Sequence, residues 1–356
     1  MTDSPQPELP HSLRLEAAAE HAGLRLDQFL ARVMPGHSRV RWQQWIAEGR
    51  VTTLSGSPLR TAAGRIHAGE VFLIQPEISP APGASGLKPV AMALEIIYQD
   101  EDLAVIHKPS GLLVHPGAGR REEPTLVHAL LHHFGPSQSL LPGAEAQRPG
   151  IVHRLDRLAS GLMVVARNET AQRQLADAFA RREVEKTYLA LVHGCPRPDH
   201  GVLDQPIARA RVRRTRMTTR NPQGRAARSE YRVLEAWPVP ALPGGGFSLL
   251  EVRIRTGRTH QIRVHLAGLG HPIAGDRAYG APAVMVTAAG SRTRQGGAVP
   301  KPLDEWRGRK LERIFLHAAR LAFTHPRRGG RMEFTSPLPA DLELFLQQLR
   351  LLQKSS

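Results

Sequence analysis

Three polar clusters in this chain carry residue types that can do chemistry. The densest is His153-Arg154-Leu155-Asp156-Arg157, set between an apolar pair, Ile151 and Val152, and an apolar run over 162–166 that follows an expected turn at Ser160-Gly161. A carboxylate beside strand residues is costly to bury unless it is paired. The pattern suggests an Asp156 held ionised by neighbouring cations at the lip of a strand, facing a cleft. The alternative is a structural Arg–Asp pair that closes a loop. The second cluster is Tyr188, in a strand-like run over 184–192. The third is Arg263, in a segment that begins Arg255-Thr256-Gly257-Arg258-Thr259-His260-Gln261. Gly257 permits a tight turn there, and Thr259 is the expected N-cap of a helix carrying Gln261, Arg263, Val264 and His265. A helix N-terminus with Arg258 and His260 is an anion site, or else an ordinary basic helix start.

Elimination narrows the chemistry. One Asp flanked by arginines is poor for glycoside hydrolysis, which uses two carboxylates, and poor for two-metal nuclease work, which needs several acidic ligands. No GxxxxGK[ST] loop, no GxGxxG after a strand and no GxSxG elbow occurs. What remains is a single carboxylate acting as nucleophile or general base, with an arginine counter-ion. The 17 histidines show no H-E-x-x-H spacing, and the single cysteine, Cys195, excludes an internal disulfide and a Cys-based zinc site. Neither a metal nor a cofactor is expected.

At 356 residues about two domains are expected, and a net charge of +16 favours a polyanionic partner, nucleic acid before membrane. No run of 18 apolar residues spans a bilayer, and the opening segment, with Glu8, Glu16 and Glu20, lacks the apolar core of a signal peptide. The expected compartment is the cytosol, and the expected state a monomer.

The elements that must position these clusters are legible in spacing. Residues 1–20 are expected to be a loose tail. Leu26, Phe29, Leu30 and Val33 fall at helical spacing, and Ser38 is the expected cap of a second helix with Val40, Trp42, Trp45 and Ile46, framed by Arg39, Arg41 and Arg50. Strand-like runs over 51–53 and 71–74 complete a small module over 21–76. A Pro/Gly/Ser/Ala linker over 77–92 separates it from a larger domain over 93–350, in which 281–310 reads as an insertion loop. In that domain strands are expected over 94–98, 103–106, 248–254 and 316–323, and helices over 125–134, 168–182 and 339–352. Residues 208–228 hold eight arginines, Arg216 among them, and are expected to form an exposed phosphate-contacting arm.

Two resemblances extend this reading. Arg25-Leu26-Asp27-Gln28-Phe29-Leu30, Ser38-Arg39 and Ile46-Ala47-Glu48-Gly49-Arg50-Val51 resemble an S4 RNA-binding domain (αL-type), whose second helix and following turn lie against RNA. The sequence departs from that pattern after Val51, with Thr52-Thr53-Leu54-Ser55-Gly56 and Gly69-Glu70. His153-Arg154-Leu155-Asp156-Arg157-Leu158-Ala159-Ser160-Gly161-Leu162 resembles the H-R-L-D-x-x-T-S-G-L motif of the RluA-type pseudouridine synthases, with Ala159 where the family usually has Thr. Lys186-Thr187-Tyr188-Leu189-Ala190 is similar to their K-x-Y-x-A motif. The segment from Arg255 to His265 is similar to their third motif, continued by His271-Pro272-Ile273, Gly275-Asp276 and Tyr279-Gly280. Lys108-Pro109-Ser110-Gly111-Leu112 and His115-Pro116-Gly117 match the opening of their catalytic domain, and the resemblance covers roughly 24–345. It implies an α+β fold, with a central mixed, mainly antiparallel sheet and a cleft across it. The implied activity is isomerisation of uridine to pseudouridine, in the RluD-like branch on large-subunit ribosomal RNA, without a cofactor. The implied roles are Asp156 as catalytic aspartate, Arg263 as its partner, Tyr188 against the target base, and Arg154 in the gap left by the flipped nucleotide. Arg157, Arg258, His260 and Gln261 are the further expected RNA contacts in this domain, and Ser38, Arg39 and Arg50 those in the S4-like module.

Overall fold

The computed structural model describes residues 13–34, 39–59, 61–75, 87–116, 123–135, 150–210, 212, 215–239, 243–282 and 311–354. The chain divides into two compact units between Leu87 and Lys88.

The first unit contains β1 (Leu13–Glu16), α1 (Leu26–Val33), α2 (Arg39–Ala47), β2 (Val51–Thr53) and β3 (Val71–Ile74). Its antiparallel sheet has the order β1-β3-β2. Leu26, Phe29 and Leu30 of α1 meet Trp42, Trp45 and Ile46 of α2 over Val51, Phe72 and Ile74, as the helical spacing requires. Asp27 is fully buried between the two helices. It accepts hydrogen bonds from Gln43 Nε2 (2.6 Å), Arg39 Nη2 (2.9 Å) and Arg25 Nε (3.1 Å). Burial pushes its carboxyl up, but the bonds from Gln43, Arg39 and Arg25 outweigh burial and hold it below the usual range. The expectation of a loose tail over 1–20 is corrected at 13–16. There the chain pairs with β3 from Leu13↔Ile74 to Glu16↔Val71, and Leu15 packs partly on the core. Ser38 lies outside the described residues.

The second unit contains β4 (Glu95–Gln99), β5 (Leu103–Lys108), α3 (Leu126–Phe134), β6 (Ser160–Ala166), α4 (Glu169–Arg181), β7 (Glu185–His193), β8 (His200–Leu203), β9 (Ala208–Arg209), β10 (Met217–Thr218), β11 (Ser229–Pro238), β12 (Gly246–Ile254), α5 (Gln261–Gly268), β13 (Leu316–Thr324), β14 (Arg331–Thr335) and α6 (Ala340–Lys354). Nine strands form one sheet in the order β4-β5-β6-β13-β7-β12-β11-β8, with β14 on β13. The β6–β13 pair is parallel and the others are antiparallel. The sheet is therefore mixed and mainly antiparallel, as expected.

Both faces of the central strands are covered, so those strands read as continuous apolar runs. Ala104, Ile106, Met163 and Val165 point to the face covered by α3, α5 and α6, whose Leu126, Ile262, Leu266, Leu342 and Leu346 join the same core. Their neighbours Leu103, Val105, Leu162 and Val164 point the other way and pack with Ala171 and Leu175 of α4. Asn168 caps α4, its side chain accepting from Ala171 N at 2.9 Å.

Two local expectations are corrected. Strand β6 starts at Ser160 rather than Leu162, so Ser160-Gly161 is not the turn; the chain turns one step earlier, where Ala159 N donates to Asp156 O at 3.1 Å. Gly161, at φ 118°, then lies against β13 so closely that a Cβ would overlap the Ala318 backbone. The arm over 208–228 is not all irregular either. Strands β9 and β10 pair there, and Ile207 bridges Arg225 beneath them. Residues 283–310 of the expected insertion loop lie outside the described residues.

Candidate active site

The residues between Gly150 and β6 form a loop at one end of the sheet, with Leu155 and Ala159 turned into the core. Between those two anchors Asp156 is part-buried, with 16% of its side chain exposed. Helix α5 presents Arg263 to this carboxylate. Arg263 Nη1 donates to Asp156 Oδ2 at 3.2 Å. The same guanidinium is held from behind by Asp276, through Nε–Oδ2 at 2.6 Å and Nη2–Oδ1 at 2.9 Å. Burial works against the arginine's charge, but its bonds to Asp276 and the charge of Asp156 outweigh it and hold the guanidinium firmly protonated. The Tyr279 ring covers the guanidinium at 4.9 Å.

Tyr188, on β7, is buried within reach of the Asp156 charge. Burial first, and the charge of Asp156 second, push its phenol above the ordinary tyrosine range. Arg154 is exposed, and its charge, with those of Asp156, Arg263 and Asp276, acts on His260. The structure thus gathers Asp156, Arg263, Tyr188, His260 and Arg154 at one place from three separate segments.

The site rests on a buried lysine whose role no spacing in the sequence reveals. Lys108 ends β5 with no exposed surface. Its ammonium donates to the carbonyls of Pro109 (2.7 Å), Leu112 (3.0 Å) and Arg157 (3.3 Å), tying the 109–112 loop to the residue after Asp156. Burial, then the charge of Arg313, bring it down to about 7, against the pull of Asp156. Ser160 is likewise held, accepting from Arg313 Nη2 at 2.5 Å and meeting His317 Nδ1 at 2.9 Å. Asp276 and Tyr279 are legible in sequence only as parts of a motif; no spacing rule links them to Arg263.

Other expected contacts behave differently. The expectation that Gln261 contacts RNA is corrected. Gln261 is buried, accepts from Thr256 Oγ1 (2.7 Å) and Arg258 N (3.0 Å), and donates to Arg228 O (3.0 Å) and Ser229 Oγ (3.1 Å). Its amide is taken up in holding the turn before α5. The N-cap of α5 is His260, in the left-handed region at φ 56°, and not Thr259. Arg157 is exposed but donates to Gly111 O at 3.0 Å and pairs with Glu123 at 2.6 Å. Arg258 donates to Ala226 O at 3.1 Å, at the base of the arm. Arg216 lines a groove between the arm and α5. In the first unit Arg39 is committed to Asp27, and Arg50 pairs with Glu48 at 2.8 Å. Among the described residues one group has the composition of a metal site, Asp100, Asp102 and His325. Arg327 and Arg328 already sit against it, at 2.7 Å from Asp102 and 3.8 Å from Asp100.

This arrangement offers one part-exposed carboxylate, a fixed cationic partner and a buried tyrosine. That set suits nucleophilic or general-base chemistry on a flat, planar group.

A family model described as RNA pseudouridylate synthase matches residues 102–268. An "uncharacterized RNA pseudouridine synthase" of Aquifex aeolicus is 40% identical over 320 residues, spanning 90% of this chain and 92% of its own length. A "ribosomal large subunit pseudouridine synthase D" of Nitrosomonas europaea is 40% identical, over 97% of this chain and 90% of its own. Its namesake in Haemophilus ducreyi is 36% identical, over 95% of each chain.

Proposed function

The chain belongs to the RNA pseudouridine synthase family, and on that premise we propose that it converts uridines of large-subunit ribosomal RNA to pseudouridine with Asp156 as the catalytic carboxylate. The single observation that carries the assignment of Asp156 is its pairing with Arg263, itself clamped by Asp276. A guanidinium clamped from behind in this way places an opposite charge at a fixed point beside the carboxylate oxygen. Relatives named for the ribosomal large subunit cover nearly the whole chain, and they support the substrate class.

The reaction breaks the N1–C1′ bond, rotates the uracil and forms a C5–C1′ bond, the C5 proton being lost and N1 gaining one. Atoms and electrons balance without a cofactor. Asp156 acts by attack on the nucleoside or by removing a proton from it; both use the same carboxylate oxygen. The target base must leave its stack to reach that oxygen, which favours uridines in loops. The buried Tyr188 offers the flipped base a face to rest on. Arg154, exposed at the mouth, fills the gap in the stack. Arg216 and the arm contact phosphates. The first unit serves as an S4-like RNA-binding module ahead of the catalytic unit, and the protein works as a monomer in the cytoplasm. Among the described residues no helix is long and apolar enough to cross a membrane.

The test is carbodiimide-dependent reverse-transcription mapping of unmodified large-subunit transcripts after incubation with wild type or Asp156→Ala, with free uracil assayed in parallel. Stops made by wild type alone are expected. Released uracil without stops would replace isomerisation by base excision. Stops on transfer RNA only would move the substrate.

A further inference from the structure

The arginine-rich arm and the catalytic pair meet at one side chain. Tyr279 closes a short 3-10 turn, Arg277–Tyr279, directly after Asp276. Its hydroxyl accepts the Met217 amide of β10 at 2.8 Å and lies 2.9 Å from His260 Nδ1, while its ring covers Arg263 at 4.9 Å. A phenol has one proton. With the Met217 N–H donating, His260 Nδ1 either accepts the phenol proton or donates to the same oxygen, according to its tautomer, and in both cases the hydroxyl bonds both partners. The hydroxyl therefore ties β10 to the start of α5, and the ring ties both to the counter-ion.

The far side of this junction is a groove of about 900 Å³ between the arm and α5. Arg209, Arg216 and Arg220 line it over a floor that includes Val264, Ala267 and Gly268, with Tyr279 at the wall. Guanidinium groups around small apolar side chains suit a nucleotide strand, with phosphates at the rim and a base face on the floor.

We propose that Tyr279 is a positioning residue that couples RNA seated on the β9–β10 arm to the Arg263–Asp156 pair. RNA in the groove steadies β10, the Met217 amide steadies the hydroxyl, and the ring keeps the guanidinium where Asp156 needs it. The proposal rests on the isomerase reading of the same site.

The test uses the full chain and a target transcript. Tyr279→Phe keeps the ring and deletes both hydrogen bonds of the hydroxyl. Its single-turnover rate with RNA saturating is expected to fall about tenfold or more, while RNA affinity stays within about twofold. Arg216→Ala is expected to lower both affinity and the bound rate in wild type, but affinity alone once Tyr279→Phe is present, a non-additive cycle. A wild-type rate for Tyr279→Phe, or rate effects that simply add, overturns the coupling. A wild type that forms no pseudouridine overturns the isomerase reading as well, and so separates the two failures. Hydrogen exchange on wild type gives a second readout independent of any variant. RNA should protect Met217 and residues 277–280 together, and protection of the arm alone overturns the proposal.

Discussion

Arg263 donates to two oxygens of Asp276 and to one of Asp156, so its plane is fixed by the residue that does no chemistry. An ammonium cannot fork between two carboxylates in that way. Arg263→Lys should therefore keep the charge and lose the geometry. The expected outcome is a fall in single-turnover rate of about a hundredfold or more, with RNA affinity nearly unchanged; a near-wild-type rate would show that charge alone suffices. Lys108 makes a second residue-scale prediction. Burial lowers it to about 7 in the fold, whereas an exposed lysine titrates near ~10.4. Between those values the unfolded chain binds a proton that the folded chain has released. Lys108 thus contributes a stability that rises with pH, by at most about 1.4 kcal/mol per pH unit, and that is flat below the lower value. Lys108→Met lacks this titration, so the melting temperature of wild type minus that of Lys108→Met should increase from pH 7 to pH 10, as read by thermal unfolding. A constant margin would place the ordinary lysine titration in the fold. Asp156 is legible in sequence because a carboxylate among arginines beside an apolar run is expensive unless it is used. Asp276 and Lys108 are not, since a lone Asp after Gly275 and a lysine at a strand end look like surface residues until the chain closes around them.

At the scale of elements, the loop carrying Asp156 is only as well placed as the start of β6. That start is the parallel step of the sheet, Ser160↔His317 and Gly161↔Ala318. Gly161 sits there at a positive φ with the Ala318 backbone where a side chain would go. Gly161→Ala is expected to cost about 3 kcal/mol or more, since it combines overlap with backbone strain. Equilibrium denaturation would read this as a lower midpoint, and activity should fall even where the protein remains folded. Helices and central strands are readable because their apolar spacing is imposed by burial: α1, α4, β5, β7 and β12 fall within a few residues of expectation. Strands β8, β11 and β14 are not. β8 and β11 lie at one side of the sheet and β14 pairs only with β13; all three have mostly exposed or half-buried residues, so polar side chains dilute the signal that identifies a strand. The cap of α5 differs from expectation because a left-handed His260 leaves no mark in composition, and the start of β6 because a glycine needed for close approach looks like a turn glycine.

At the scale of the molecule, the excess of 48 Lys and Arg over 32 Asp and Glu is not spread evenly among partners. Many arginines are committed internally, as Arg39 is to Asp27, Arg263 to its two carboxylates, and Arg320 and Arg331 to Glu185. Affinity for RNA should come from those that remain on surfaces, and it should be steeply salt-dependent, losing roughly a thousandfold or more between ~50 and ~200 mM salt if six or more phosphates are engaged. The two units have separate hydrophobic cores, one built on Phe29, Trp42 and Ile46, the other on the large sheet and its helices, so the second does not depend on the first to bury its apolar surface. Removal of residues 1–87 should then leave the active-site geometry intact and take away phosphate binding alone. The expected result is a uniform loss of affinity for target and non-target RNA, a salt slope shallower by about one for each phosphate no longer engaged, and modification of the same uridine. Binding isotherms at several salt concentrations, read beside a modification map, decide it. A truncated protein that modifies a different uridine would mean that the first unit chooses the substrate, and the arm and cleft of the second unit would no longer be sufficient to explain specificity.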